Sequence, residues 1–585
     1  MTTTALPPKA RRARPRITRQ ERRSRQRRLD KRHRVEIRLG ALERERSSWD
    51  GHWRDISKRL LPRHSRFFET DRNKGDKRHN NIIDHSATTA LQILTSGLHA
   101  GATSPARPWF RLQTSDSELN KMPSVRRWLD DVRDMILRVF AKSNAYEVLP
   151  HLYSEIGAFG TAACIVTEDY ENVLHFTPMT VGEYCLAQDW KGNVNTLYRK
   201  FQRTVAEVVD EFGYENCSVS VQQQYDQESY DNWVTIIHAI EPNEHYNAES
   251  PFAVHKAWRS CYVEEGAEPD TYLRESGFDR FPVLAPRWKV IGQDIYGESP
   301  GMVALGSINQ LQFQQLRRGQ VVDHQTNPAL VAPESLRNRE SDFLPGGVTF
   351  DDTAATNNAG VRAAFEVKAD LNAIRDDIFD TRSLIREPFF ADLFLMMHLG
   401  QDNPQKTARE VAELHGEKLL MLGPVMQQLE RDLHRPMVQH AYDVLERNGV
   451  LPEVPEEIAG RDIQPEFISM LAQAQKAVQL APINQWVADM LALAQGGKPE
   501  VLDKLNVDAY ADTTADLTGV PPHLLNDDDV VAQIREARAQ QQAAAAQLEA
   551  TAQGASALKD MGAAGIEPTA AFSSLGAAPQ QEFAA

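Results

Sequence analysis

Ser96-Gly97-Leu98-His99-Ala100-Gly101-Ala102-Thr103-Ser104-Pro105-Ala106-Arg107-Pro108-Trp109-Phe110 marks a sharp change of pattern. Before it, Ala87, Leu91, Leu94 and Leu98 recur at helical spacing behind Asp84, a residue suited to capping a helix start. Gly101 stops that helix. From Thr103 the chain is non-helical, because each proline drives the residue before it into extended backbone. Trp109 and Phe110 read as packing anchors on a proline-fixed segment. Arg107 reads as a salt-bridge partner rather than a DNA contact.

On the N-terminal side a helix is expected around 40–61, with Trp49, Trp53, Ile56, Leu60 and Leu61 at helical spacing and Pro62 ending it. Residues 1–38 form a basic arm with almost no apolar residues, expected to stay disordered. It is read either as a tail for nucleic acid or an acidic partner, or as a solvated tail. On the C-terminal side, helices are expected over 122–142 and 147–162. The period then shortens. Cys164–Thr167, Leu174–Phe176, Tyr184–Leu186, Val234–Ile240, Phe252–Trp258 and Pro282–Val290 are strand-like, which makes 163–290 a mixed α+β region.

Helical pattern returns at 299, where Met302, Leu305, Ile308 and Leu311 lead to about Asp323. Residues 328–362 are rich in Pro, Gly and Asn, with short strands expected at Ala329–Ala332 and Val348–Phe350. A second helix carries Leu371, Ile374, Ile378, Ile385 and Phe389. After a loop at 399–404, a helix of about 405–448 is expected to kink at Pro424 and Pro436 and to end at Gly449. Further helices fit 465–495 and the stretch after Asn526-Asp527-Asp528-Asp529. Beyond Gln547 an Ala/Gln/Gly-rich tail is expected to be disordered. The fold class is α+β and mainly helical.

The 585 residues are 25% charged and 41% hydrophobic, with a net charge of −15. That composition is globular. Residues 1–38 hold fifteen Lys/Arg against three Asp/Glu, so the remaining 547 residues carry −27. Cys164, Cys185, Cys217 and Cys261 are widely spaced, which argues against a disulfide scaffold or cysteine zinc site and suits a reducing compartment. No apolar run approaches the ~18 residues of a membrane helix, and no secretory signal is recognised. A soluble protein made in a cytoplasm is expected.

Chemical motifs are sparse. There is no phosphate-binding G-x-x-x-x-G-K-[ST], no dinucleotide fingerprint, no nucleophile elbow and no H-E-x-x-H. His52, His64, His79 and His85 lie near Asp55, Asp76 and Asp84, and a metal-dependent nuclease is conceivable there. The histidine spacings of 12, 15 and 6 match no metal signature, and surface histidines are the better reading. No catalytic residue, cofactor or metal ligand is assigned.

Three strings together resemble one family. They are the 96–110 stretch, Tyr296-Gly297-Glu298-Ser299-Pro300-Gly301 leading into its helix, and Lys406-Thr407-Ala408-Arg409-Glu410-Val411 followed by Glu417-Lys418-Leu419-Leu420-Met421-Leu422-Gly423-Pro424-Val425. Their combination and order resemble the head-to-tail connector, or portal, proteins of short-tailed, T7-like bacteriophages over about residues 40–540. The resemblance implies a ring of about twelve subunits at one capsid vertex, through which double-stranded DNA is packaged and ejected. It implies a non-enzymatic virion component, assembled in the host cytoplasm without a membrane. Its partners would be the terminase large subunit, tail or adaptor proteins, and the major capsid and scaffolding proteins.

Laid onto this chain, the family plan makes 1–38 the arm, 39–298 the wing and 299–323 the first stem helix. Residues 324–364 become the clip and 365–388 the second stem helix. The tunnel loop falls at 389–406, the long kinked helix and its return through the wing at 407–464, the crown at 465–550 and the tail at 551–585. His398, Gln401, Asn403 and Lys406 would lie nearest DNA. Pro105, Arg107, Pro108, Trp109, Phe110, Thr407 and Glu410 would be structural motif positions. Arg317, Arg318, Arg375, Asp376, Asp380, Arg382 and Arg386 are expected in ion pairs between subunits, or else on a solvated helix face. The acidic body suits a channel that must not grip its cargo, or serves solubility alone. A nucleic-acid-binding structural protein acting through its arm is the alternative function.

Overall fold

A computed structural model describes residues 31–68, 70, 78–116, 119–266, 272–328, 330–331, 362–363, 368–398, 421–461, 463–468, 470–495, 499–518 and 530–545. The chain divides into two units, Met1–Ala488 and Asp489–Ala585. Most of the arm, the tunnel-loop residues Gln401, Asn403 and Lys406, the motif positions Thr407 and Glu410, most of the clip and the tail lie outside the described residues.

Helix α1 (Lys31–Arg59) begins earlier than expected, so the last eight residues of the arm are helical. The reason is an apolar stripe half hidden among arginines: Val35, Leu39 and Leu42 are all buried. Further along α1, Trp53 and Ile56 enter the main core, where Trp53 donates from Nε1 to the Phe159 carbonyl at 3.0 Å. Helices α2 (Ser86–Ala102), α3 (Pro123–Lys142) and α4 (Ala145–Phe159) complete the helical layer. The residues singled out on α2 are buried, as their spacing predicts, and Val125, Leu129, Val132, Ile136 and Phe140 form the matching buried stripe of α3.

After α2 the chain turns extended, as the prolines require, and Phe110–Thr114 form β1. Its partner is β12 (Ile463–Phe467), paired antiparallel with Phe110 opposite Phe467. The helix expected from 465 is therefore corrected: Pro465–Phe467 are strand, and the helix α11 starts at Met470 and runs to Gln495. A cross-strand partner for β1 wins over helical propensity here, because Trp109 stacks on Phe467 with ring centroids 6.1 Å apart and planes at 12°.

The α+β region holds two antiparallel sheets. One has the order β3-β2-β9, from Val173–Met179, Ala163–Asp169 and Val283–Leu284. The other is a meander of β4 (Tyr184–Gln188), β5 (Val194–Thr204), β6 (Trp233–Pro242), β7 (Trp258–Glu264) and β8 (Arg274–Phe278). Two expected strands are corrected. Phe252–Trp258 is mostly a tight turn around Ala253–His255, and Pro282–Val290 contracts to Val283–Leu284. Both segments carry apolar residues but lack the alternation that a half-buried strand needs.

The meander is covered on both faces. Val35, Leu39 and Leu42 of α1 pack on Cys185, Tyr198, Ile237, Ala239 and Cys261. Helices α5 (Val205–Phe212) and α6 (Val219–Asp226) pack through Val205, Val208, Phe212 and Val221 on Val234 and Ile236. Alternate residues of β6 thus serve opposite layers.

Helix α7 (Pro300–Thr326) and helix α8 (Leu371–Arg386) pack side by side. Gln325 Nε2 donates to the Ala369 carbonyl at 3.3 Å and Gln314 Nε2 to Asp377 at 2.5 Å, so the pair is antiparallel. Between them the described residues form a two-stranded pairing of β10 (Leu330–Val331) with β11 (Arg362–Ala363). The second helix starts later than residue 365 because Asp370 caps it, accepting from the Asn372 amide at 2.8 Å. Helix α9 (Ala391–His398) follows.

Residues 421–447 are helical, but a π turn at Glu430–His434 interrupts them before α10 (Arg435–Arg447). Pro436 has no amide proton to offer the preceding turn. The chain accommodates it by widening, and the Arg435 amide bonds the Glu430 carbonyl five residues back. In the second unit, α12 (Val507–Thr518) and a helix over 530–545 meet through Arg535, which holds Asp508 with two nitrogens at 2.5 and 2.8 Å.

Candidate functional site: the junction of the helix pair with the core

The Tyr296–Gly301 string seats the start of α7 on the end of α4. Tyr296 is wedged edge-on against Trp53 at 5.1 Å, and its hydroxyl accepts from the Leu186 amide at 3.0 Å. The Gly297 amide donates to Thr161 Oγ1 at 2.8 Å. Ser299 caps α7 by accepting from the Met302 amide at 2.9 Å while its hydroxyl donates to the Ala158 carbonyl at 2.7 Å. Pro300 follows at the first turn, where a missing amide proton costs nothing. Gly160 and Gly297 face each other so closely that a Cβ on Gly160, whose φ is +81°, would lie 1.9 Å from the Gly297 carbonyl oxygen.

The same junction is tied from the side by Asp84. Its Oδ1 accepts from the Ser86 amide at 2.9 Å and the Ser86 hydroxyl at 2.5 Å, holding the start of α2. Its Oδ2 accepts from Arg382 of α8 and from Gln315 of α7 at 2.8 Å. Gln312 of α7 completes the knot, donating to the Asp84 carbonyl at 2.7 Å and accepting from the Ile83 and Asp84 amides at 2.7 and 2.9 Å. Burial alone would raise the Asp84 pKa. The hydrogen bonds from Ser86, Arg382 and Gln315 outweigh it and hold the group down at about 2.

The π turn makes a second tie. It carries Asp432, Leu433 and His434, whose side chains all make contacts within the fold. Arg287, 1% exposed, donates from Nε to Asp432 at 3.0 Å and from Nη2 to the Gly192 carbonyl at 2.9 Å. His434 Nε2 is hydrogen-bonded to the Tyr153 hydroxyl at 3.0 Å, which also meets Thr103 at 3.0 Å. Burial keeps the imidazole neutral, with a pKa lowered to about 3. Its ring lies 5.6 Å from that of Trp109, so the 96–110 string and the long helix share one polar and aromatic core.

The structure sorts the expected residues into groups. Trp109 and Phe110 are core, while Pro105, Arg107 and Pro108 are exposed. Among the described residues Arg107 makes no ion pair. Arg382 of α8 is tied within its own chain to the buried Asp84. Arg375 and Asp376 lie 3.5 Å apart and exposed, Arg386 is 3.6 Å from Asp392, and Arg317 donates to Gln320 at 2.9 Å and covers the Phe313 ring. Arg318 and Asp380 are exposed, without an ion pair among the described residues. His398 ends α9, and Gln401, Asn403 and Lys406 lie outside the described residues.

The histidine–aspartate cluster of a nuclease does not form among the described residues. His64 lies 2.7 Å from Glu155, Asp84 is occupied as above, and His52, His79 and His85 are exposed. No group of three or more metal-capable side chains occurs among the described residues. All four cysteines are free and buried. Sequence reasoning missed Gln312, Gln315, Arg287, Asp432 and His434. Only Asp84 carried a signal, as a helix-start residue, and nothing local pointed to its partners.

Large apolar side chains stand exposed along the helix pair: Val303, Phe313 and Leu316 on α7, and Phe379 and Leu384 on α8. Phe313 is 56% exposed and Phe379 69%, so the pair presents an uncovered apolar surface.

Comparison with known proteins agrees with this arrangement. Residues 32–525 match the family described as bacteriophage head to tail connecting protein. The chain is 48% identical over 525 residues to the probable portal protein of Bordetella phage BPP-1, covering 90% of this chain and 94% of that one. It is 40% identical over 547 residues to the portal protein of Salmonella phage epsilon15, covering 93% and 98%. With a family match over most of its length and two relatives aligned nearly end to end, the chain belongs to the bacteriophage head-to-tail connecting proteins, the phage portal family.

Proposed function

We propose that copies of this chain close into a ring of about twelve at one capsid vertex, and that double-stranded DNA enters and leaves through it. The exposed apolar surface of the α7–α8 pair carries this reading. Phe313, Leu316, Phe379 and Leu384 cost free energy in water, about 25 cal/mol per Å² of apolar surface, and a neighbouring copy on each side removes that cost. Arg317, Arg318, Arg375, Asp376, Asp380 and Arg386 lie on the same two helices, with at most local pairs of their own, and can pair across subunits, whereas Arg382 is committed to the buried Asp84.

On this reading α7 and α8 are the stem. The 324–364 segment is the clip, which meets the terminase motor first and the tail later. Residues 389–406 hold the tunnel loop beside DNA, past the core-packed first part of that span, and 465–550 are the crown. The chain is a structural conduit, and the ATPase is a separate protein. The net −27 of residues 39–585 supports low affinity for passing DNA. The test is to assemble phage heads in a host with the chain's gene deleted. Heads that form but stay empty of DNA, and fill when the gene is supplied in trans, agree with the conduit. Heads that fill normally without it overturn the reading.

A further inference from the structure

The five-stranded sheet carries a cross-strand row that the junction does not use. The register sets Arg199 of β5, His238 of β6, Tyr262 of β7 and Arg274 of β8 side by side on one face. Arg199 Nε donates to His238 Nδ1 at 3.1 Å, which leaves Nε2 to donate to Ser260 Oγ at 3.0 Å. The His238 ring stacks on Tyr262, centroids 3.9 Å apart and planes at 8°. Arg274 covers the rings of Phe212 at 4.9 Å and Tyr262 at 5.7 Å. Arg199 covers Phe201 at 4.6 Å, and Arg203 approaches the same ring at 5.7 Å.

Three guanidiniums thus gather around four rings, with Glu183 and Glu211 acting on the group only from beyond ion-pair distance. Among the described residues none of Arg199, Arg203 and Arg274 makes an ion pair. Elsewhere in this unit Arg287 is matched by Asp432, Arg259 by Glu241 and Arg46 by Asp50. Arg199 is half-buried, and its partners are the neutral His238 ring and the Tyr262 hydroxyl. Burial and the charges of Arg199 and Arg274 keep His238 uncharged. A guanidinium partly out of water, beside the like charge of Arg203 and hydrogen-bonded to neutral partners, is costly for the fold. An oxyanion removes that cost, because the guanidinium fork takes a carboxylate or phosphate with two parallel hydrogen bonds.

We propose that Arg199, Arg203 and Arg274 form a docking platform for the side-chain carboxylates of an acidic segment of a partner protein. The surroundings favour a protein segment over nucleic acid. From Thr204 to His255 the chain has ten Asp/Glu and no Lys or Arg, and α5 and α6 of that stretch cover the adjoining part of the same sheet face. A duplex, with one charge per ~1.7 Å, is repelled by such a flank. A short segment can place one or two carboxylates on the arginines and an apolar side chain on Phe201, and leave the flank untouched.

The test uses the full-length protein with a hexaglutamate peptide and, separately, a 20-base-pair duplex, both by calorimetry at low and physiological salt. The variants are Arg199→Gln, the surface pair Arg203→Gln/Arg274→Gln, and Arg63→Gln as an exposed arginine elsewhere. Peptide binding should weaken at least tenfold in Arg199→Gln and in the surface pair, and stay unchanged in Arg63→Gln. Without peptide, Arg199→Gln should melt no lower than the parent, since it removes an unmatched charge. Equal peptide binding by parent and surface pair overturns the proposal. So does a duplex that binds more tightly than the peptide through the same arginines, or an Arg199→Gln protein that melts lower while the surface pair still binds.

Discussion

Arg382 sets two nitrogens on one oxygen of Asp84, Nη2 at 2.7 Å and Nε at 3.1 Å, across 298 residues of chain. One carboxylate, 3% exposed, so couples the first turn of α2 to both helices of the pair. Asp84→Asn should lower stability by about 2 kcal/mol, the scale of hydrogen bonds to a charged group. Denaturant unfolding at pH 7 checks it.

The same carboxylate sets an acid limit. Its pKa is about 2 in the fold, against ~3.9 in an unfolded chain. A lowered carboxylate pKa contributes stability that is complete above the unfolded value and lost as pH falls through the folded one. The contribution of Asp84 should therefore fade between about pH 4 and pH 2. Asp84→Asn should flatten that part of the stability profile relative to the parent.

Arg287 and Asp432 pose the opposite case, a pair closed off from water. Removing one partner leaves a buried charge, so Asp432→Ala should cost ~3–5 kcal/mol. Arg287→Met together with Asp432→Leu should cost less than Asp432→Ala alone, because no buried charge is left unpaired. A double-mutant cycle by thermal unfolding measures the coupling.

Gly160→Ala should be among the most damaging small changes in the chain, costing more than about 3 kcal/mol, since both the positive φ and the Gly297 carbonyl forbid a Cβ. Gly306→Ala is the contrast. It lies inside α7 with nothing within 4 Å of its Cβ position, and should stabilise by ~0.5–1 kcal/mol. Melting temperatures of the two variants should move in opposite directions.

What local pattern could reveal was helices with one apolar stripe, such as α2, α3 and the start of α7, and the extended corner ending at Trp109. Their burial depends on neighbours three or four positions away. Strand β5 escaped notice because its run Leu197-Tyr198-Arg199-Lys200-Phe201-Gln202-Arg203 buries cations beside rings, which reads as polar. The first turns of α1 were masked by arginines around Val35. The β1–β12 pairing, the Asp84 knot and the inward turn at Asp432–His434 join residues far apart in sequence, and no spacing rule reaches that distance. Arg382 looked like its neighbours on α8, and only its place opposite Asp84 separates it from them.

In the proposed ring, neighbouring copies meet through the exposed faces of α7 and α8. The direct measurement is the mass of the purified particle by multi-angle light scattering, joined to negative-stain images, for the parent and for Phe313→Asp with Phe379→Asp. The account predicts rings of about twelve copies with a central hole for the parent. The double variant should remain a monomer that melts at the parent's temperature for an isolated subunit, because both side chains are solvent-exposed. Rings of unchanged mass from the double variant would contradict it, as would a parent that stays monomeric in the presence of its scaffolding and capsid proteins.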